Sequence, residues 1–388
     1  MARVNGARRP MTTSTATNDE RKIMNELEQA RAEINEVDLE MAKLFERRMK
    51  ACETIAAYKK ENALSIRDKV REQDWIVNSQ GRIKSPEIES YYVPFLQNVV
   101  DLSCQYQARL LTERRVAYSG VEGAFAHMAA KRMFPEAVYI PQPDFVSAYK
   151  SVERGENDCV VLPLENSYEG EVSTVMDLFF SGNLFVNQTT ELPIKHALLA
   201  AQNAKIDEIK TVVSHPQALG QCRSYIESRG FQTQTYSNTA AAAKHVKKLG
   251  NPTVAAIASE ETANLFGLKI LASGINDASN NTTRFAALSR VQNIPSSSKI
   301  REDENFILVF TVQNRAGALA QTLNIIGAHG YNMRNLRSRP MKDLQWSYFF
   351  YVEAEGNIHN NNGKEMLRQL SAICARLKLV GTYYSGGK

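Results

Sequence analysis

The amino-acid sequence predicts a multidomain protein with an all-α segment, a two-lobed α/β domain and an α+β domain of the ferredoxin-like type. Three observations support this prediction. A heptad-like apolar stripe runs through residues 18–60, short apolar strands alternate with helical segments in the middle, and the carboxyl-terminal segment follows the order βαββαβ. The length of 388 residues provides two or three cores of ordinary size.

The composition argues against several functional classes. The chain has 43% hydrophobic and 23% charged residues and a net charge of +5, with basic and acidic residues interleaved. That pattern disfavours nucleic-acid binding and leaves small anions as ligands. No apolar run approaches the roughly 20 residues that a membrane-spanning helix needs. We therefore expect neither a nucleic-acid partner nor a membrane partner.

The five cysteines are scattered, odd in number and never paired as C-x-x-C. This usage favours a reduced cytoplasmic compartment over disulfides or a zinc site, and we expect no metal and no cofactor.

Residues 1–19 are basic and then rich in Ser and Thr, without the apolar core of a signal peptide. They predict a disordered tail, with Met11 as an alternative start and a transit peptide as an unsupported alternative.

Residues 20–112 are predicted to be all-helical. Apolar residues recur in steps of three and four from Ile23 to Leu44, and Pro and Gly are absent from Met11 to Lys60, which predicts one helix of about forty residues. Two further helices are predicted at 70–78 and 88–111. So long a helix cannot bury its stripe within a segment of this size. We therefore expect a homodimer or a higher homo-oligomer.

This segment also carries polar residues at helical spacing. Arg48 and Lys59 are eleven residues apart, close to three turns, so they share one helix face. Arg31 precedes Arg48 by seventeen residues, about 25 Å along the axis, so only a partner chain brings it to the same ligand. The other polar residues of interest are Asp68, Arg71, Glu72, Ser103 and Gln107. Two interpretations remain open: a solvated face laced with ion pairs, or a cationic pocket for a dicarboxylate.

The stretches RAEINEVDLEMAKLFERR, YKKENALSIRDKVREQ and LSCQYQ resemble the helical chorismate mutase of bacterial chorismate mutase–prephenate dehydratases. The family's ligand set falls on Arg31, Arg48, Lys59, Asp68, Glu72, Ser103 and Gln107. The resemblance implies that Arg48 and the partner's Arg31 clamp two carboxylates. It also implies that Lys59 and Gln107 donate to the ether oxygen and that Glu72 binds the ring hydroxyl. A pericyclic rearrangement needs such positioning and charge stabilisation, and no nucleophile.

Residues 113–291 are predicted to form the α/β domain. Strand candidates are RVAYSG, CVVLPLEN, TVVSHP, TVAAIAS and FAALSR, and helices are predicted to begin near Gly123, Gln217, Thr239 and Glu260. The alternation predicts a largely parallel sheet in two lobes. Ligands of such sheets bind at the carboxyl ends of strands, beside helix N-termini that favour anions.

Four polar motifs fall at these strand ends: VLPLENSYEG, TVVSHPQALGQC, SNTAAAA and NNTTRF. Each alone is explained by a helix cap, a turn or an exposed helical residue, but in this order they resemble prephenate dehydratase. The resemblance implies a two-lobed fold like that of periplasmic binding proteins, with Thr283 as the essential threonine. The candidate substrate-binding residues of this domain are Glu165, Asn166, Ser214, His215, Gln221, Thr239 and Arg284.

Loss of carbon dioxide and water from prephenate yields an aromatic ring, so no strong base is needed. We hypothesise that Thr283 donates to the leaving hydroxyl, polarised by a neighbour that the sequence does not identify, while Arg284 or helix N-termini hold a carboxylate. The stretch GVEGAFAH departs from the family's glycine motif, with Ala124 and Ala126 in place of two hydroxyl residues. If those hydroxyls contact substrate, weaker binding or slower turnover is expected.

Residues 292–304 are predicted to be a linker, and residues 305–388 resemble the ACT domain that confers phenylalanine feedback on this family. The motifs RAGALAQTL and LRSRP parallel its effector motifs, with Arg337 in place of a glutamate. The implied effector-binding residues are Gly317, Ala318, Leu319, Arg337, Ser338, Arg339 and Pro340. The charge reversal leaves two interpretations open: a phenylalanine site, or a module serving mainly as a dimer contact.

Together these observations predict a bifunctional isomerase and lyase of the shikimate pathway that converts chorismate through prephenate to phenylpyruvate for phenylalanine biosynthesis. Three alternatives remain at this stage. One is a chain with a single active domain, for which the mutase has the better motifs. The second is a preference for arogenate over prephenate. The third is a sensor that binds prephenate or an amino acid without turnover.

Overall fold

The computed structural model describes residues 18–62, 64–65, 67–79, 82–111, 113–292, 304–341 and 347–384. The chain divides into two compact units, the first ending at residue 112 and the second comprising residues 113–388. Apart from residues 18–19, 292 and 304, the predicted tail and linker lie outside the described residues. Within the described ranges, no helix is both long and apolar enough to cross a membrane.

In the described residues the first unit consists of three helices, α1 (Asn18–Glu61), α2 (Lys69–Val77) and α3 (Pro86–Leu111). Helix α1 has 44 residues, which confirms the single long helix predicted from its uninterrupted stripe. Helix α3 packs along α1, and α2 packs against α3. The Asp68 carboxylate accepts a hydrogen bond from the Arg71 amide at 3.1 Å and so caps the start of α2.

The apolar stripe of α1 is not covered within its own unit. Ile34 is 60% exposed and Leu44 is 62% exposed, and Leu27, Val37 and Met41 are exposed as well. The buried core of the unit lies farther along α1, around Cys52 and Ala56. A contiguous exposed apolar stripe of this kind is typical of an interface.

The second unit begins with two α/β lobes. Their elements are β1 (Arg115–Ser119), α4 (Phe125–Met133), β2 (Val138–Gln142), α5 (Phe145–Glu153), β3 (Cys159–Asn166), β4 (Gly170–Glu171), α6 (Ser173–Ser181), β5 (Phe185–Pro193), β6 (Ala197–Ala200), β7 (Thr211–Ser214), α7 (Pro216–Gln221), α8 (Arg223–Arg229), β8 (Gln232–Thr235), α9 (Thr239–Leu249), β9 (Val254–Ala258), α10 (Glu260–Phe266), β10 (Lys269–Ala272) and β11 (Thr282–Ser289). Strands β6 to β10 form the sheet of the second lobe, and β11 returns to the sheet of the first.

One reversed strand interrupts the main sheet of each lobe. Strands β2, β1 and β3 are parallel, and β11 runs antiparallel between β3 and β5. In the second lobe β8, β7 and β9 are parallel, and β6 runs antiparallel between β9 and β10. The predicted largely parallel sheet is therefore confirmed for four strands of each lobe, and the single reversed strand was not predicted. Strands β6 and β11 are the first strands after the chain crosses between lobes, so no crossover helix sets their direction.

The ferredoxin-like order is confirmed. It comprises β12 (Glu304–Thr311), α11 (Ala318–Ala328), β13 (Asn332–Pro340), β14 (Tyr348–Glu355), α12 (Asn361–Ile373) and β15 (Arg376–Tyr384). Its four strands are antiparallel in the order β13-β14-β12-β15, with both helices on one core of buried aromatic and aliphatic residues. Strand β15 also meets β5, where Gly381 pairs with Val186, so one sheet continues from this domain into the first lobe.

Candidate active sites

A cavity of about 260 Å³ opens among the three helices of the first unit. Helix α1 supplies Arg48 and Lys59 from one face, as their spacing predicts. The other polar residues of the wall are Asp68, Arg71, Ser103 and Gln107, and apolar side chains such as Ile55 and Val100 complete it. The sequence-based interpretation as a cationic pocket is thus consistent with the geometry.

Neighbouring side chains hold the two α1 cations in place. Arg48 Nε donates to Ser103 Oγ at 2.9 Å, and its guanidinium lies 5.3 Å from the centre of the Trp75 ring. Lys59 Nζ donates to Gln107 Oε1 at 3.2 Å. Because the Gln107 carbonyl oxygen accepts from Lys59, its amide nitrogen is the end available to donate to a ligand. The cavity therefore presents positioned cations and neutral donors.

Two residues predicted for this site are not among the described lining residues of the cavity. Arg31 lies on the exposed early part of α1, far along the helix from Arg48. Glu72 belongs to α2, but its side chain lies outside the described part of the structure.

A second cavity, of about 560 Å³, lies between the two lobes of the second unit. Strand ends and helix starts form its wall, as expected for α/β sheets. Asn166 ends β3, Thr283 lies at the start of β11, and Thr239 begins α9. His215 and Gln221, at the two ends of α7, complete the polar wall.

The side chain of Asn166 determines how Thr283 is hydrogen-bonded. Its Oδ1 accepts from the backbone N–H groups of Tyr168 and Glu169, at 2.9 and 3.0 Å. Its amide nitrogen must therefore donate, and it does so to Thr283 Oγ1 at 2.9 Å and to Asn281 Oδ1 at 2.7 Å. Since the Thr283 oxygen accepts this bond, its proton is free to point elsewhere, and Thr283 lines the cavity.

The hydrogen-bond chain continues from Asn281 to His196. Asn281 Nδ2 donates to Gln221 Oε1 at 2.9 Å, and the same oxygen lies 3.0 Å from His196 Nε2. An accepting oxygen requires a donor, so Nε2 carries the proton of the imidazole. Burial lowers the pKa of His196, against a smaller opposing effect of Gln221. His196 is therefore neutral at pH 7, and Gln221 Nε2 closes the chain by donating to Glu169 at 3.2 Å.

Among its described lining residues this cavity has carboxylates, Glu169 and Glu171, but neither Lys nor Arg. Burial lowers the pKa of His215, although the charge of Glu169 opposes the shift. Helix N-termini favour anions, and both α4 and α9 begin at the cavity wall. No cluster of three His, Cys, Asp or Glu side chains in the described ranges is placed to hold a metal.

The family comparisons agree with this division into sites. Chorismate mutase type II matches residues 30–108, prephenate dehydratase matches residues 116–293, and the ACT domain matches residues 306–372. The bifunctional chorismate mutase/prephenate dehydratase of Buchnera aphidicola subsp. Schizaphis graminum is 30% identical over 376 residues, covering 93% of this chain and 97% of the relative. This chain belongs to the bifunctional chorismate mutase/prephenate dehydratase family.

Other relatives match the dehydratase–ACT part of this bifunctional enzyme. Arogenate dehydratase/prephenate dehydratase 2 of Arabidopsis thaliana is 32% identical over 278 residues, 69% of this chain and 72% of the relative. The prephenate dehydratase of Arthrobacter aurescens, solved in complex with L-Phe, superposes with a TM-score of 0.64 at 27% identity. The superposition covers 70% of this chain and 89% of the Arthrobacter aurescens chain. The predicted family, fold class and enzyme class are confirmed.

Three predicted residues of the dehydratase domain do not line its cavity. Ser214 is fully buried and donates to the backbone oxygen of Ile257 at 2.6 Å, which is a structural role. Glu165 and Arg284 point to the opposite face of the sheet, because side chains alternate along a strand and their neighbours Asn166 and Thr283 face the cavity. The geometry does not fit the hypothesis that Arg284 holds a substrate carboxylate. Its guanidinium is paired with Glu165 at 2.9 Å and with an ACT carboxylate.

The ACT motif residues lie in two places. Gly317, with φ of 81°, precedes α11, which begins with Ala318 and Leu319. Arg337, Ser338, Arg339 and Pro340 end β13. There the Arg337 guanidinium pairs with Glu171 at 3.1 Å, and Arg339 pairs with Asp177 at 3.0 Å. The charge reversal at position 337 is therefore matched by a carboxylate of the dehydratase lobe.

The structure adds three residues that sequence reasoning did not nominate: His196, Asn281 and Glu169. Glu169 and Asn281 lie within the quoted motifs, one in VLPLENSYEG and one in NNTTRF. His196 stands alone in the sequence, at the point where the chain crosses to the second lobe. Its backbone N–H donates to Asn276 Oδ1 at 2.7 Å in the return crossing. Only the tertiary structure brings it to the cavity.

Proposed function

We propose that, in the mutase site of this bifunctional enzyme, Arg48 holds one carboxylate of chorismate and Arg31 of a second chain holds the other. Lys59 and the Gln107 amide donate to the ether oxygen, where negative charge develops as the bond breaks. Glu72 binds the ring hydroxyl, while Asp68, Arg71 and Ser103 shape the wall. Two hydrogen bonds that position the α1 cations support these roles: Arg48 donates to Ser103, and Lys59 donates to Gln107.

For the dehydratase, we propose that Thr283 donates a hydrogen bond to the departing ring hydroxyl of prephenate. The bond between the ring and the carboxylate carbon breaks and releases carbon dioxide, and the electron pair of that bond enters the ring. The C–O bond breaks at the same time, and the departing hydroxide takes up one proton from solvent and leaves as water. The hydrogen bond that Asn166 donates to Thr283 Oγ1 carries this proposal, since it leaves the Thr283 proton for the substrate. Helix N-termini at Phe125 and Thr239 hold the anionic groups, which is the alternative to Arg284 that the sequence left open.

Thr283→Ala tests this assignment. We expect phenylpyruvate formation to fall by about 10³-fold or more, because the leaving group loses its donor, while chorismate loss continues at the wild-type rate. An ultraviolet assay with chorismate follows the two steps separately. Thr282→Ala, one residue earlier and outside the cavity wall, is the matched control and should leave both activities intact. A folded Thr283→Ala protein that lacks both activities would contradict the division of labour.

One observation favours arogenate as a second substrate. Arogenate carries an ammonium group where prephenate has a keto oxygen, and the described lining residues include Glu169 but no cation. A carboxylate in a partly enclosed cavity attracts an ammonium group. Parallel assays with prephenate and arogenate compare kcat/KM for the two substrates.

We propose phenylalanine as the effector of the ACT domain, bound by the segments 317–319 and 337–340. Support comes from the ACT family match and from the related Arthrobacter aurescens enzyme, which was solved in complex with L-Phe. Adding phenylalanine to the same ultraviolet assay tests this role. Unchanged rates would favour the alternative of an ACT module that serves as a dimer contact.

We also propose that the enzyme is a cytoplasmic homodimer or higher homo-oligomer with domains at 20–112, 113–291 and 305–388. The exposed stripe on α1 supports association, and the scattered free cysteines support a reducing compartment. The boundaries are supported by the break between units at residue 112 and by the start of β12 at Glu304.

A further inference from the structure

The two strands that carry the dehydratase site are paired residue by residue. In the antiparallel register of β3 and β11, Thr283 lies opposite Asn166 and Arg284 lies opposite Glu165. Because side chains alternate across a strand, the first pair faces the cavity and the second faces the other side of the sheet. The site pair and the ion pair therefore lie back to back on the same two strands.

The ACT domain contacts the second pair with a buried carboxylate. Glu353 of β14 is 1% exposed and meets the Arg284 guanidinium with both oxygens, at 2.5 and 2.6 Å. Tyr351 donates to Glu353 at 3.2 Å, and Tyr383 contacts both Glu353 and Arg284. Burial alone would raise the pKa of Glu353, but the hydrogen bonds and charge of Arg284 outweigh it and lower the pKa. The carboxylate is thus ionised at pH 7.

We propose that Glu353 is a positioning residue for the dehydratase: it acts through Arg284 to fix the β11–β3 register at the point where Thr283 meets Asn166. This inference rests on the proposed role of Thr283. A bidentate pair fixes two planar groups in one geometry, and Arg284 is one residue, about 3.4 Å, from Thr283 along the strand.

The β11–β3 pairing has an irregularity next to this position. The register shifts by one residue between Arg284 and Phe285 and then resumes with Phe285 opposite Pro163, whereas the β11–β5 register is continuous from Thr282 to Ala287. The buried ion pair lies at this irregularity and adds a side-chain constraint to the β11–β3 pairing. Asn335 of the ACT domain contacts the Glu165 carboxylate at 3.4 Å, on the same side of the sheet. The ACT domain thus contacts both residues of the second pair.

Glu353→Gln tests the proposal in the full-length protein. The substitution keeps the shape and removes the charge, so the dehydratase kcat should fall about tenfold while KM for prephenate stays within about twofold. The mutase rate should not change. Arg376→Gln is the matched control, because Arg376 also reaches from the ACT domain to the first lobe, donating to the Phe180 oxygen at 2.8 Å, but contacts neither β3 nor β11. It should keep the wild-type kcat.

The Arg284→Met background shows whether Glu353 acts through Arg284. There, adding Glu353→Gln should cause no further loss of kcat. A full tenfold loss in that background, or a wild-type kcat in the single variant, would overturn the inference. If Thr283→Ala is inactive but Glu353→Gln is not impaired, only this inference fails. If Thr283→Ala stays active while Glu353→Gln loses kcat, the role of Thr283 fails instead.

A milder variant covers the case in which Glu353→Gln does not fold. Tyr383→Phe removes only a hydroxyl that contacts Glu353 and Arg284. A reduction of kcat by about twofold to fivefold, at unchanged KM, is expected. An unchanged kcat for a folded Tyr383→Phe protein, together with an unchanged kcat for Glu353→Asp, would also refute the proposal.

Discussion

Asn166 sets the direction of the hydrogen bonds in the dehydratase cavity. Two backbone N–H groups of the turn after β3 occupy its carbonyl oxygen, so its amide nitrogen has no choice but to donate. Every later bond, from Asn281 to Gln221 to His196, takes its direction from that one orientation. A single turn thus decides which way the Thr283 hydroxyl presents its proton.

Asn166→Asp tests whether Asn166 acts through the hydrogen bonds that its amide nitrogen donates, because the substitution keeps the shape of the side chain. The carboxylate keeps the two bonds from the backbone but cannot donate to Thr283 or Asn281, so we expect the dehydratase kcat to fall by about 10²-fold or more. Mutase activity in the same sample should be unaffected. Steady-state rates with prephenate and with chorismate measure the two effects. A dehydratase within twofold of wild type would mean that Thr283 does not depend on the Asn166 amide.

At this scale the sequence predicts the chemistry of a motif better than the direction of its side chains. The motif NNTTRF suggested Thr283, which lines the cavity, but it also suggested the adjacent Arg284, which faces away from the cavity. A one-residue change of register exchanges the two faces of a strand, and no local pattern in TTRF distinguishes them. His196 was missed for a different reason: it comes from a crossing between lobes, where neither helical nor strand periodicity applies.

At the scale of elements, the ACT domain joins the first lobe through an uncommon contact. Strand β15 approaches β5 closely enough that a Cβ atom on Gly381 would lie 2.1 Å from the Val186 backbone oxygen. Gly381 also pairs with Ile307 of the ACT sheet. Because glycine has no side chain, β15 can approach β5 and one sheet continues through both domains. In this arrangement Glu353 lies behind β3 and β11, the strands that carry Asn166 and Thr283.

Gly381→Ala should therefore weaken the contact between β15 and β5. The added methyl group meets the backbone O, N and C atoms of Val186, and we expect the second unit to lose about 1–3 kcal/mol of stability. The matched control is Gly327→Ala in α11, where nothing beyond the adjacent residues and the backbone of the helix itself lies within 4 Å of the added carbon. Stability should stay the same or rise slightly there. Thermal unfolding followed by circular dichroism measures both. Equal melting temperatures for Gly381→Ala and wild type would show that the close approach does not persist in solution.

The helices and strands were largely predictable, because apolar residues recur along them at a regular spacing. The long α1 helix, the βαββαβ order and the strand-end motifs all follow from apolar spacing and turn residues. The reversed strands β6 and β11 were not predicted. Their sequences, ALLA and TTRFAALS, look like any buried strand, and their direction is set by the route of the chain between lobes.

At the scale of the whole molecule, the proposed mutase site requires a residue that the cavity of a single chain does not contain. Its cavity contains Arg48 and Lys59, while Arg31, the second clamp in the resemblance, lies on the exposed part of α1 beside the uncovered stripe. In the proposed homodimer, a two-fold pairing of α1 stripes would cover the apolar residues and bring Arg31 of each chain to the site of the other. Stability and mutase catalysis would then depend on the same association.

Mixing two inactive variants tests this exchange directly. Arg31→Gln and Arg48→Gln homodimers should each lose about 10²-fold or more of mutase activity, because every site lacks one clamp. In a mixed dimer, one site has Arg48 from one chain and Arg31 from the other, and the second site has neither. Random pairing makes about half of the dimers mixed, so co-expressed or refolded mixtures should recover about a quarter of wild-type mutase activity. Dehydratase activity with prephenate is the internal control and should stay constant throughout. No recovery on mixing, with dimers confirmed by sedimentation, would place Arg31 outside the partner's site.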